Sequence, residues 1–135
     1  MSNLILKKMI KNFNKKNILL IDDDDNVHTL LKLYLEGSKS NLISAKSGCD
    51  GITKFITNKI DLIILDVNMP NMNGFETLVK LKEINSNIDV IMCTGNTEFK
   101  DKVYSAGAIA YILKPIEKNK LLHVIDMVFK LQSVE

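Results

Sequence analysis

Arginine is absent from this 135-residue chain: all 18 basic residues are lysine. Bidentate recognition of phosphates and base edges is mostly arginine work, so its absence argues against a nucleic-acid-binding domain. Cysteine is scarce, and Cys49 and Cys93 have neither metal-site spacing nor a partner motif. Both read as buried free thiols. No apolar run approaches the roughly 20 residues needed to cross a bilayer, so no membrane insertion is expected. The N-terminus lacks a secretory apolar region and a cleavage site, which makes the cytoplasm the expected location. Internal repeats and low-complexity tracts are also missing. Acids are absent from residues 1–16, which hold five lysines; the remainder carries 13 Lys against 16 acids, a net of −3. The overall charge of +2 therefore belongs to the N-terminal extension and gives no basic domain face.

What remains is ordinary globular composition, 46% hydrophobic and 25% charged, in a chain of single-domain length. Residues 1–16 read as an extension. Leu6, Met9, Ile10 and Phe13 fall on a helical stripe among lysines. Such a helix can lie on a membrane surface or a partner, but a short stripe is expected to pack on its own domain or fray.

From Asn17 the chain alternates. Ile18-Leu19-Leu20-Ile21 is a continuous apolar run ending in Asp22-Asp23-Asp24-Asp25. Val27, Leu30, Leu31 and Tyr34 then share a helical face, closed by Glu36-Gly37-Ser38. A short strand over 41–45 precedes a helix from Ser47-Gly48 to about Thr57. The stretch Asp61–Asp66 is apolar on both faces and ends on a carboxylate. Met69-Pro70 stops it, and a helix follows from Gly74 to about Glu83. A strand over 89–92 runs on to Thr94-Gly95, followed by a helix from about Glu98 to Ala106 that Gly107 caps. The fifth strand spans 109–113 and ends at Lys114-Pro115; the last helix runs from Glu117 to about Leu131. Five strand–helix units with buried strands and no hairpin predict an α/β fold, a doubly wound parallel sheet with five helices. Only four residues follow the last helix, so residues 17–133 are expected to form the domain with no output domain after it.

In a parallel sheet all strand ends point to one edge, where open α/β sheets bind ligands. That edge would gather Asp22, Asp23, Asp66, Thr94 and Lys114. Three carboxylates in one pocket call for a cation. Oxygen donors without a nearby His or Cys favour a hard ion, with Mg²⁺ the natural choice. A lysine and a hydroxyl beside such a site make a receptor for an anion, namely a phosphoryl group transferred to a carboxylate oxygen.

The acidic pair in LLIDDDD, the segment LDVNMPNMNGFE, the CTG segment and AYILKP follow in order at matching spacing. Over residues 17–131 the chain resembles a response-regulator receiver domain, which implies the flavodoxin-like strand order 2-1-3-4-5. By position, Asp66 resembles the phosphoacceptor. Asp22 and Asp23 resemble the metal-binding acids, with Asp66 and the Asn68 backbone carbonyl completing the set. Thr94 and Lys114 resemble the phosphoryl-sensing hydroxyl and lysine, and Tyr111 the aromatic switch partner of Thr94. The resemblance also implies a cis Lys114-Pro115 bond, room for the phosphoryl group beside Gly95, and tuning of its lifetime at Asn68 and Asn96. It further implies a bacterial two-component switch, phosphorylated by a histidine kinase or a histidine phosphotransfer protein. The switch is not an enzyme beyond its own phosphorylation and dephosphorylation. Its output would act through the face built by the fourth helix of the domain, the fifth strand and the fifth helix. A downstream protein target is implied, and a phosphorylation-dependent dimer is one form the output could take.

Other readings stand beside these. Asp24 would support a metal water shell, and Asp25 or Asn26 would cap the first domain helix. His28 and His123 read as solvated surface residues, Met69 and Met72 as loop packing, and Gly51 as a weak point in its helix. A Mg²⁺-dependent phosphatase working through an aspartyl-phosphate is the competing enzyme reading. A receiver cut from a longer regulator is the competing boundary reading.

Overall fold

The computed structural model describes residues 3–13, 15–69 and 71–134. Pro70, the expected strand stop, lies outside them, as do the side chains of Lys8, Ile10, Lys11 and Phe13. The elements are α1 (Asn3–Phe13), β1 (Lys16–Ile21), α2 (Asp25–Leu35), β2 (Ser40–Ala45), α3 (Gly48–Thr57) and β3 (Leu62–Asp66). Then follow α4 (Gly74–Ile84), β4 (Val90–Thr94), a 3₁₀ turn (Thr97–Phe99), α5 (Lys100–Ser105), β5 (Ala110–Leu113) and α6 (Lys118–Gln132).

The five strands pair in parallel in the order β2-β1-β3-β4-β5, as the resemblance implies. Side chains alternate across a strand, so each apolar run feeds two cores. Leu19, Ile21, Ile63 and Leu65 face one core with Phe55, Leu78, Leu81 and Val103, which brings α3, α4 and α5 to that side. Ile18, Leu20, Leu62 and Ile64 face the other with Leu31, Leu121, Ile125 and Val128 from α2 and α6. Burying each large aliphatic side chain contributes about 1.5–3 kcal/mol, which is why runs without polar alternation hold the centre of the sheet. Strand order reverses between β1 and β3, so the chain leaves their carboxyl ends toward opposite faces, to α2 and to α4, and a crevice opens between the two connections.

Three expectations are corrected. The helix expected over 98–106 divides into a 3₁₀ turn and a six-residue α5. Asn96 accepts a hydrogen bond from the Glu98 N–H, tightening the entry, and Gly107 at φ +104° ends the helix. Gly51 is not a weak point: a Cβ there would lie 2.4 Å from Ile21 Cδ1, so glycine lets α3 approach β1. On α1, Leu4, Ile5, Leu6 and Met9 are 46–63% exposed, while Ile10 and Phe13 of the expected stripe lie outside the described side chains. The cysteines also divide, with Cys93 buried and Cys49 exposed.

Candidate functional site

Four of the predicted residues meet at the crevice between β1 and β3. β1 delivers Asp22 and Asp23 directly after its last residue, and β3 ends on Asp66. Asp22 and Asp66 are buried, whereas Asp23 is exposed. One carboxylate oxygen from each of the three lies within 4.8 Å of the others. Lys114 follows β5, and its N–H donates to the Thr94 carbonyl at 2.8 Å, extending the ladder by one residue. That backbone placement carries its Nζ to 2.8 Å from Asp22 Oδ2 and 3.2 Å from Asp66 Oδ1. The Lys114-Pro115 peptide is cis, as the resemblance implies.

One lysine cannot neutralise three acids. Burial pushes the Asp66 carboxyl up to about 6, and the Asp22 charge adds to this against the pull of Lys114 and the Asn68 N–H. For Lys114, burial pulls its pKa down, but the hydrogen bond to Asp22 and the charges of Asp22 and Asp66 outweigh it and raise the net value. The site is therefore short of positive charge and built only of oxygen donors. That combination fits a hard divalent cation held by Asp22, Asp23 and Asp66.

Thr94 is fully buried, and its Oγ1 accepts from the Asn96 N–H at 3.1 Å. The Asn96 carbonyl accepts from the Tyr111 hydroxyl at 3.2 Å. A hydrogen-bonded path thus runs from Thr94 through Asn96 to Tyr111. Asn68 is exposed, and its N–H donates to Asp66 Oδ1 at 3.3 Å. A Cβ at Gly95 would meet nothing within 4 Å, so open space stands beside that strand end.

Several residues behave otherwise than the sequence suggests. Asp24, not Asp25 or Asn26, caps α2: its Oδ1 accepts from the Asn26 N–H at 2.9 Å. The Asp24 N–H donates to Asp22 Oδ1 at 2.9 Å, so this turn also aims the Asp22 carboxylate. Asp25 instead pairs with Lys46, whose hydrogen bond and charge lower its pKa. His28 is half-buried rather than solvated, with Nε2 2.7 Å from the Asp22 backbone carbonyl. It braces the strand end from one helical turn away, and no sequence pattern reveals that contact. In sequence Gly74 marks only the start of a helix. A Cβ there would sit 2.2 Å from the Asp66 carbonyl oxygen, so only glycine lets α4 start against the end of β3. Cys93 lies beside the site, but burial pushes its thiol up to about 12, which makes it packing rather than chemistry. A groove of about 920 Å³ between α2 and the edge strand β2 includes none of the five strand-end residues.

A sequence model of the response regulator receiver domain matches residues 18–126. The chain belongs to that family. It is 32% identical to the chemotaxis protein CheY of Halobacterium salinarum over 82% of this chain and 94% of that protein. It is 30% identical to the transcriptional regulatory protein GlrR of Escherichia coli over 82% of this chain, which spans only a quarter of that longer protein. Among solved structures it is similar to the response regulator TrrA of Thermotoga maritima, in complex with Mg²⁺-BeF, at TM-score 0.78 and 26% identity. That match covers 84% of this chain and 98% of the other. The receiver domain is thus a signalling switch of two-component systems, with its grouped aspartates at the edge where the fold concentrates ligands. No helix among the described residues is long and apolar enough to cross a membrane.

Proposed function

We propose that this receiver domain takes a phosphoryl group from a phosphohistidine onto Asp66, with Mg²⁺ bound, and signals through Thr94 and Tyr111. The observation that carries the reading is Lys114 Nζ lying between the buried carboxylates of Asp22 and Asp66, with Asp23 at the rim. Asp22, Asp23, Asp66 and the Asn68 backbone carbonyl would hold the ion. When bound, Mg²⁺ supplies positive charge that lets Asp66 ionise and screens the incoming phosphoryl oxygens.

An Asp66 carboxylate oxygen attacks phosphorus, the P–N bond to the donor histidine breaks, and the imidazole leaves with that electron pair. Lys114 turns its ammonium from Asp66 toward a phosphoryl oxygen, and Asp22 anchors it from the other side. The Thr94 oxygen already accepts from Asn96, so its own proton is the group to offer a phosphoryl oxygen. Drawing Thr94 inward shifts Asn96, which holds the Tyr111 hydroxyl. The new charge thereby biases a two-state surface formed by α5, β5 and α6, which a partner protein reads. Hydrolysis of the aspartyl-phosphate resets the switch. The phosphatase alternative finds little support: the residue two after Asp66 is the amide Asn68, and Asp24 is engaged as a helix cap.

Intact-mass spectrometry after incubation with acetyl phosphate tests the reading, with and without Mg²⁺, on wild type and Asp66→Asn. The expected result is one Mg²⁺-dependent phosphoryl adduct on wild type and none on the variant. No adduct from either acetyl phosphate or a phosphohistidine protein, with Mg²⁺ binding seen independently, would refute it.

A further inference from the structure

Helix α1 lies outside the matched receiver region. Ile5, Leu6 and Met9 stand at i/i+3/i+4 spacing, on one helical face. They are 52%, 47% and 46% exposed, so this face is not buried in the core. Lys7 falls nearly opposite Met9, on the polar side. All five charged residues before Asn17 are lysines.

We infer that α1 is an interfacial anchor that lays its apolar face on an anionic lipid surface. The charge pattern selects this occupant. A second copy of α1 would set its three lysines, Lys7, Lys8 and Lys11, against the same three with no acid on the helix to compensate. A protein groove is a poorer fit, because protein interfaces favour arginine and aromatic side chains and are depleted in lysine. A lysine-studded apolar helix without shape-specific anchors suits a fluid anionic surface, which asks for charge and apolar area but no fitted pocket. The domain's own net of −3 leaves α1 as the attachment point. Binding there also leaves the site free. β1 is six residues long, so α1 enters the sheet about 20 Å from the end that bears Asp22. The aspartate edge would face away from the lipid, open to a phosphodonor.

The test is co-sedimentation of the full chain with phosphatidylcholine vesicles containing none or about 30% phosphatidylglycerol. Wild type is compared with Leu6→Glu/Met9→Glu and with Lys7→Glu/Lys8→Glu. Leu6, Met9 and Lys7 are exposed, and an unchanged urea midpoint checks that each variant keeps its fold. Wild type should bind the anionic vesicles at least about tenfold more tightly than the neutral ones. Either variant should lose about tenfold or more, and about 0.5 M salt should release the protein. Equal binding to both vesicle types, binding that survives both variants, or no vesicle binding would overturn the proposal. So would α1-dependent dimerisation, or capture by polyglutamate, without vesicle binding.

Discussion

Neutralising Asp66 should stabilise the metal-free domain, in a way that pH switches on and off. Asp66 is 3% exposed, and burial with the Asp22 charge lifts its carboxyl from 3.8 to about 6 in the fold. Below pH 4 the group is protonated in both folded and unfolded chains, and its charge costs nothing. Between about 4 and 6 the folded chain holds a proton that the unfolded chain has released, so stability falls as pH rises. Above 6 the full cost is present. A shift of about two units, which already includes the pull of Lys114, corresponds to about 3 kcal/mol, and relaxation of the site brings the expected effect to about 1–3 kcal/mol. Asp66→Asn keeps the shape and removes the charge. In EDTA it should raise the free energy of unfolding by that amount at pH 7.5, with most of the gain lost by pH 4. Saturating Mg²⁺ should erase the difference by stabilising wild type through binding that the variant lacks. The chain has no tryptophan, so urea unfolding is followed by far-UV circular dichroism. A variant no more stable than wild type at pH 7.5, or a gain unchanged from pH 4 to 7.5, would refute the charge-surplus account of the site.

Lys114→Ala leaves Asp22 and Asp66 facing each other without their shared cation, and should cost about 1–3 kcal/mol at pH 7.5 in EDTA, read by the same urea series. It should also abolish the phosphorylation-dependent change at Tyr111, seen by NMR, while a mass adduct can still form. Gly74→Ala drives a Cβ into the Asp66 carbonyl and should cost about 2 kcal/mol or more; an unchanged thermal midpoint would contradict the close approach. Asp24→Ala removes the α2 cap and should lose about 0.5–2 kcal/mol in urea, whereas Asn26→Ala should lose much less.

The fold was largely legible because its two signals are local. Runs such as Ile18–Ile21 and Leu62–Leu65 lack polar alternation, and only a strand covered on both faces accommodates that. Right-handed parallel connections then send every strand end to one edge, so Asp22, Asp23, Asp66 and Lys114 could be gathered from linear positions alone. Element ends were less legible. The 3₁₀ entry to α5 depends on the side chain of Asn96 capturing one particular N–H, and several neighbouring polar residues could have done so.

What the sequence determined by itself is a parallel α/β domain with an oxygen-rich anionic edge and one lysine, because residue type and period carry that information. The tertiary structure decided what depends on distance between remote atoms. It buried Asp22 and left Asp23 at the rim, which divides the charge between interior and solvent. It placed His28 on the Asp22 carbonyl and showed why Gly51 and Gly74 are glycines, since a missing Cβ has meaning only against the atoms it would strike. It also left Ile5, Leu6 and Met9 of α1 about half exposed. An amphipathic period shows that a helix has an apolar side, but not what that side faces, because burial belongs to the whole packed molecule rather than to the segment.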